Sequence, residues 1–306
     1  MAIKFQLKDY KADTHPDWCP GCGDFGILNA IQSSLFELEL DPNNVAIFSG
    51  IGCSGKSNHY LETYGVHTLH GRVLPFATGA KLANPHLAVI AVGGDGDGLG
   101  IGAGHFVAAG RRNLDLLYVF YDNEVYGLTK GQAAPTLALG DRPKSLPRPN
   151  VQGKVNPLLE AFAAGFTFIA RGYAYNIKEL KALIQEGYNH PGLAFIDVLQ
   201  PCPTYNNLHT KEWFGPRVYS LAEEGYDPLV PADLGEEALS QKVSDFVSKA
   251  TEWGEKIPTG IFWRHLSPTF EERVAAYTPG YPEVAPATRE LVPGGKVAEL
   301  MEEFAL

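Results

Sequence analysis

Three apolar runs, Val45 to Phe48, Leu87 to Val92 and Leu114 to Tyr121, lack the polar alternation of a half-exposed strand. A strand apolar on both faces has to be covered on both, so it belongs to a mainly parallel sheet with helices above and below. Between the runs the period changes. Asp24 to Leu40 sets Ile27, Leu28, Ile31, Leu35 and Leu38 on one helical face, and Leu99 to Gly110 is also expected to be helical. Asn156 to Gly165 and Asn176 to Tyr188 repeat the helical pattern, with strands expected at Phe166 to Ala170 and Leu193 to Leu199. Alternation of this kind predicts a doubly wound α/β fold. Beyond Tyr205 the pattern weakens to a helix near Glu236 to Trp253, a strand near Thr259 to Trp263, and a Pro-rich tail ending in a helical stretch, Gly294 to Phe304.

Charge narrows the partners. Acids outnumber bases 35 to 25 in 306 residues, a net charge of −10, and no Lys/Arg cluster exists to meet nucleic acid or an anionic membrane. The apolar runs are far short of the ~18 residues that a membrane span needs. Lys4, Lys8, Asp9, Lys11 and Asp13 interrupt the region where a secretion signal would lie, so a cytoplasmic location is expected.

Ligands of open parallel sheets sit outside the carboxyl ends of the strands. Cys53, Asp95, Asn123 and Cys202 each follow an expected strand, so parallel strands would collect all four on one rim. Gly50-Ile51-Gly52-Cys53-Ser54-Gly55-Lys56-Ser57 satisfies the P-loop pattern, which raises a nucleotide-hydrolase alternative. The chain after Ser57 meets Gly65 and a β-branched, His-rich stretch too soon for the sustained helix that such a loop requires. Gly93-Gly94-Asp95-Gly96-Asp97-Gly98 fails the dinucleotide fingerprint, because Leu99 stands where its third glycine belongs. An acid at this turn repels bare phosphate and becomes useful when a divalent cation lies between them, with Asn123 as a second oxygen ligand.

Cys19-Pro20-Gly21-Cys22 puts two thiols on one tight turn, and Cys53 and Cys202 bring the number to four. Four suits a zinc-bound structural module or a four-iron cluster equally well. A redox dithiol would leave Cys53 and Cys202 idle.

Gly94-Asp95-Gly96, then residues 97–121, then Asp122-Asn123 resembles the diphosphate-binding motif of thiamine-diphosphate enzymes, which usually ends in Asn-Asn. Together with Asp17-Trp18-Cys19-Pro20-Gly21-Cys22-Gly23, Leu69-His70-Gly71-Arg72, Tyr126 to Gln132 and Gln200-Pro201-Cys202-Pro203-Thr204, it closely resembles the β subunit of 2-oxoacid:ferredoxin oxidoreductases over roughly residues 15–215. The resemblance implies a thiamine-diphosphate-binding domain over 1–215, with a C-terminal extension, 216–306, packing on the same domain or on a partner. It implies one [4Fe-4S] cluster on Cys19, Cys22, Cys53 and Cys202, and Mg2+ on Asp95, Asn123 and the carbonyl of Val125. Thiamine diphosphate would lie against Ile51, Gly52, Cys53, Ser54, His70, Gly96, Asp97, Gly127 and Leu128.

The activity implied is oxidative decarboxylation of 2-oxoglutarate and/or pyruvate to the acyl-CoA and carbon dioxide, with electrons leaving through the cluster to ferredoxin. The chain has one sheet, so the cofactor-activating Glu is expected on an α, or fused α/γ, subunit together with contacts to coenzyme A. Lys56 and His70 are the candidate substrate contacts, Lys56 as an ammonium near the rim that would select a second carboxylate.

Overall fold

The computed structural model describes residues 5–289 and 301–304. Helices and strands alternate as α1 (Asp24–Glu37), β1 (Val45–Ser49), β2 (Tyr64–His67), α2 (Val73–Ala83), β3 (Ala88–Gly94), α3 (Ala103–Arg112) and β4 (Leu116–Asp122). A short ribbon, β5 (Val125–Tyr126) and β6 (Gln132–Ala133), precedes α4 (Pro157–Ala164), β7 (Phe168–Tyr173), α5 (Ile177–Tyr188) and β8 (Leu193–Leu199). The remainder adds α6 (Lys211–Phe214), β9 (Val218–Ser220), β10 (Leu229–Val230), α7 (Glu236–Thr251), β11 (Ile257–His265) and α8 (Phe270–Ala275). The expected helix Gly294 to Phe304 lies outside the described residues except for 301–304.

One sheet runs β10-β11-β7-β8-β4-β3-β1-β2, with β9 also paired to β11. Its neighbours are parallel except β11 and β7. Every residue of β1, β4, β7 and β8 is buried, as apolar runs covered from both sides require. The side chains divide by strand parity. Ile47, Ile90, Val119 and Ile196 pack with Ile27, Ile31, Leu180 and Ile184 of α1 and α5 on one face. Phe48, Val89, Tyr118 and Phe195 pack with Leu74, Phe106, Leu158 and Phe246 of α2, α3, α4 and α7 on the other. This is the doubly wound α/β arrangement. Residues 218–265 continue the same sheet past β7. No helix among the described residues is long and apolar enough to cross a membrane.

Two departures bear on the site. The helical stretch expected from Leu99 begins at Gly96 as a wide π turn, Gly96–Ile101, before α3 takes over; the Asp95 carboxylate accepts the Gly96 N–H at 2.9 Å and starts it early. The His-rich stretch after the glycine loop contains β2, an exposed edge strand.

Candidate functional site

Parallel order brings the marked residues together. β8, β4, β3 and β1 are consecutive in the sheet, and Cys202, Asn123, Asp95 and Cys53 follow their carboxyl ends in that sequence. A cavity of about 150 Å3 opens at this rim. Ile51, Gly52, Cys53, Ser54, His70, Asp95, Gly96, Asp97, Asn123, Val125, Gly127 and Leu128 all line it, with Gly94, Tyr126 and Thr129. Lys56 is not among them. Its Nζ lies 2.8 and 2.9 Å from the two carboxylate oxygens of Asp17, which also accepts from Tyr60. The ammonium therefore has a local partner, supplied from 39 positions earlier in the chain.

Asp97 organises one wall. Its Oδ1 accepts the Ile51 N–H at 3.0 Å, the Gly71 N–H at 2.8 Å and the His70 Nδ1–H at 2.7 Å. It joins the turns after β1 and β2 to the start of the π turn. Its Oδ2 is buried and without a partner, and a Cβ on Gly50 would fall 1.9 Å from that oxygen, so no side chain fits there.

The opposite wall holds the oxygen ligands. Asp95 Oδ2 accepts the Glu124 N–H at 2.8 Å, and Asn123 Oδ1 accepts the Val125 N–H at 3.0 Å. Glu124 adopts a left-handed backbone, φ +67°, to make this turn. Asn206 donates to its carboxylate at 2.9 Å, and His209 makes a short contact with the same oxygen. The sequence reading missed Thr136, which the Pro-rich loop after β6 carries into the site. Its Oγ1 lies 2.6 Å from Asp95 Oδ2 and 2.7 Å from Asp122 Oδ1. One hydroxyl hydrogen can serve only one of the two carboxylate oxygens at a time. Burial, more than any neighbour, raises both carboxyls above their usual range. Among the described residues no Lys or Arg pairs with Asp95 or Asp122. A buried acid pair with no ion-pair partner, beside an Asn oxygen and a backbone carbonyl, fits a hard divalent ion.

The cysteines border the same cavity. The turn Cys19 to Cys22 closes on a 3.0 Å hydrogen bond from Cys22 N–H to the Cys19 carbonyl. Trp18 Nε1 donates to the Cys53 carbonyl at 2.8 Å, and Gly23 N–H to the Pro201 carbonyl at 3.1 Å, tying this turn to the other two cysteine loops. All four thiols are free. Burial raises Cys22 and Cys202, and pushes Cys53 up to about 12. Among the described residues no three His, Cys, Asp or Glu side chains converge on a single-ion site, so the zinc alternative finds no support. A cluster of four irons is wider than one ion, and four thiols on three mutually tethered loops fit it. The P-loop alternative also falls, because Ser54–Tyr60 is a tight 3-10 stretch that ends before β2.

A parallel sheet with an Asp-Gly-helix turn and a paired Asn loop at its rim defines a thiamine-diphosphate-binding enzyme. The family model for the C-terminal TPP binding domain of thiamine pyrophosphate enzymes matches residues 50–198, and that for the C-terminal part of pyruvate ferredoxin oxidoreductase β subunits matches 202–279. The chain belongs to the family of 2-oxoacid:ferredoxin oxidoreductase β subunits. It is 54% identical over 290 residues to such a subunit of a Sulfolobus species, covering 94% of each chain. It is 56% identical over 275 residues to the Saccharolobus solfataricus subunit, covering 89% of each. The 2-oxoglutarate:ferredoxin oxidoreductase of Magnetococcus marinus, solved with 2-oxoglutarate, coenzyme A and succinyl-CoA bound, superposes with a TM-score of 0.80 at 35% identity over 92% of this chain and 94% of that one.

Proposed function

We propose that this chain, with an α or fused α/γ subunit, oxidises a 2-oxoacid and coenzyme A to acyl-CoA and carbon dioxide, two electrons passing singly to ferredoxin. Thiamine diphosphate supplies the carbon nucleophile and electron sink, and an iron-sulfur cluster supplies one-electron acceptance. Asp95, Asn123 and the Val125 carbonyl would hold Mg2+, and Cys19, Cys22, Cys53 and Cys202 the cluster. Ile51, Gly52, Cys53, Ser54, His70, Gly96, Asp97, Gly127 and Leu128 would contact the thiamine cofactor.

Asp97 orients His70 so that its Nδ1 carries a hydrogen and its Nε2 is left for a cofactor or substrate. Thr136 fixes Asp95. His70 and Lys56 would contact the substrate, Lys56 by exchanging Asp17 for the distal carboxylate of 2-oxoglutarate. The activating Glu and the coenzyme A contacts would come from the partner. We take 1–215 as the cofactor-binding unit and 216–306 as its extension, in a cytoplasmic enzyme.

One observation carries the reading. A methyl group on Gly127, which lines the cavity, would come within 3.3 Å of Cys53 Sγ and 3.9 Å of Cys202 Sγ, so cavity and thiols share one wall. Anaerobically purified complex should be brown, carry iron and acid-labile sulfide, and reduce ferredoxin with 2-oxoglutarate and coenzyme A. A colourless, iron-free complex would overturn the cluster assignment.

A further inference from the structure

Gln200 opens the Gln200-Pro201-Cys202-Pro203 loop directly after β8, and it is buried. Its backbone N–H donates to the Asp122 carbonyl at 2.8 Å, which holds the residue beside the Asp122-Asn123 turn. On its other side lies Gly23 of the first cysteine turn. A Cβ on Gly23 would fall 2.9 Å from Gln200 Cγ, so a glycine there lets the two loops close on each other.

The Gln200 side chain spans the gap between the oxygen ligands and the cysteines. Its Oε1 accepts a hydrogen bond from Asn123 Nδ2 at 2.6 Å. Its Nε2 donates to the Pro201 carbonyl at 2.9 Å and to Cys22 Sγ at 3.3 Å. Main-chain groups fix the direction of this chain at both ends. The Val125 N–H can only donate, so the Asn123 atom facing it is the oxygen. That turns the Asn123 NH2 to Gln200, which must meet it with its own oxygen. At the far end the Pro201 carbonyl can only accept, so it too demands the Gln200 NH2. Both hydrogens of that NH2 are thereby placed, one on the carbonyl and one on the sulfur.

A donor aimed at a ligating sulfur bears on the potential of an iron-sulfur cluster. Reduction adds negative charge, part of which falls on the thiolate sulfurs, so an N–H there stabilises the reduced cluster more than the oxidised one and raises its potential. At the other end, an Asn123 amide gripped through its nitrogen keeps its oxygen in one orientation. A metal ligand oriented by a second hydrogen bond binds its cation more tightly.

We propose, on the ligand sets assigned above to Mg2+ and to the cluster, that Gln200 is a positioning residue shared by both. It orients the Asn123 amide for the cation and sets the cluster potential through the Cys22 sulfur.

Gln200→Met keeps the side-chain length and lacks both the amide donor and the amide acceptor. In the purified complex, a redox titration followed by electron paramagnetic resonance gives the cluster midpoint, calorimetry with thiamine diphosphate at fixed Mg2+ gives the affinity, and iron and sulfide assays give the cluster content. With iron retained, the midpoint of Gln200→Met should move to a more negative potential, and its cofactor affinity should fall several-fold. Tyr175→Phe controls for a loosened cysteine turn, because it removes the hydroxyl that donates to the Gly21 carbonyl at 2.5 Å and leaves the Gln200 bonds in place; its midpoint should stay at the wild-type value. Should Gln200→Met lose its cluster, Gln200→Asn, whose amide is one methylene too short to reach both partners, is measured in its place with the same expectation. An iron-replete Gln200 variant with the wild-type midpoint or the wild-type affinity, or an equal shift in Tyr175→Phe, would overturn the proposal and leave the ligand sets standing. An iron-free wild-type complex would overturn the cluster ligands themselves, and the proposal with them.

Discussion

The Nδ1 of His70 stands 2.7 Å from Oδ1 of Asp97, on the same oxygen that collects the Ile51 and Gly71 N–H groups. One carboxylate thus sets the imidazole orientation and clamps two turns. Asp97→Ala should lower stability by on the order of 3 kcal/mol even without cofactor, because buried donors are left unmade. Thermal unfolding of the cofactor-free chain checks this; an unchanged Tm would make Asp97 a cofactor contact alone.

Thr136→Val removes the hydroxyl between Asp95 and Asp122 while keeping its volume. Thiamine diphosphate affinity at fixed Mg2+ should fall about tenfold, equivalent to ~1.4 kcal/mol, with iron content unchanged. Calorimetry of the two proteins gives the comparison, and equal affinities would show that Asp95 needs no such support.

Asp95→Ala and Cys202→Ser should fail in opposite ways. The first should abolish Mg2+-dependent thiamine diphosphate binding and spare iron; the second should lose or weaken the cluster and spare cofactor binding. Iron and sulfide assays beside cofactor titrations read both, and a loss of iron from Asp95→Ala would join what is here separated.

Lys56→Ile tests selectivity. With Lys56 as a carboxylate contact, kcat/KM for 2-oxoglutarate falls by roughly one to two decades while that for pyruvate is kept. Asp17→Asn frees the ammonium and should not lower 2-oxoglutarate turnover. Equal losses for both substrates in Lys56→Ile would give the lysine to the Asp17 and Tyr60 contact instead.

His190 offers a pH signature far from the rim. Burial, then Arg264 and His265, lowers its pKa from 6.5 to about 4. The unfolded chain binds the extra proton first, so stability is full above the unfolded value and falls as pH drops from 6.5 toward 4. The loss approaches ~3 kcal/mol at the acid end. His190→Gln should flatten the acid side of a plot of stability against pH; a curve parallel to wild type would refute the assignment.

Much of this was legible because apolar runs report burial directly. β8 falls at Leu193–Leu199, where the pattern puts it, and the residues after four such strands meet at one rim. β2 escaped because its Tyr64-Gly65-Val66-His67 is an exposed edge with no buried face to leave a period. α2 escaped because Pro75 and Gly79 read as breakers, although Pro75 occupies the first turn, where an N–H has no helical partner to lose. Thr136 lies in a loop without a period, and only folding reveals its reach to Asp95. For Lys56 the missing fact was likewise a distant residue, Asp17.

Gly127 has no side chain where the cofactor cavity meets Cys53 and Cys202. In the proposed enzyme an electron leaving a bound thiamine for a cluster on those thiols would pass at this glycine, with Tyr126 next to it in the cavity lining. Tunnelling probability decays steeply with distance, so the closeness of cavity and thiols at this glycine would favour that transfer. A methyl group on Gly127 would stand 3.3 Å from Cys53 Sγ, so even an alanine there would press on a thiol that the proposed cluster needs.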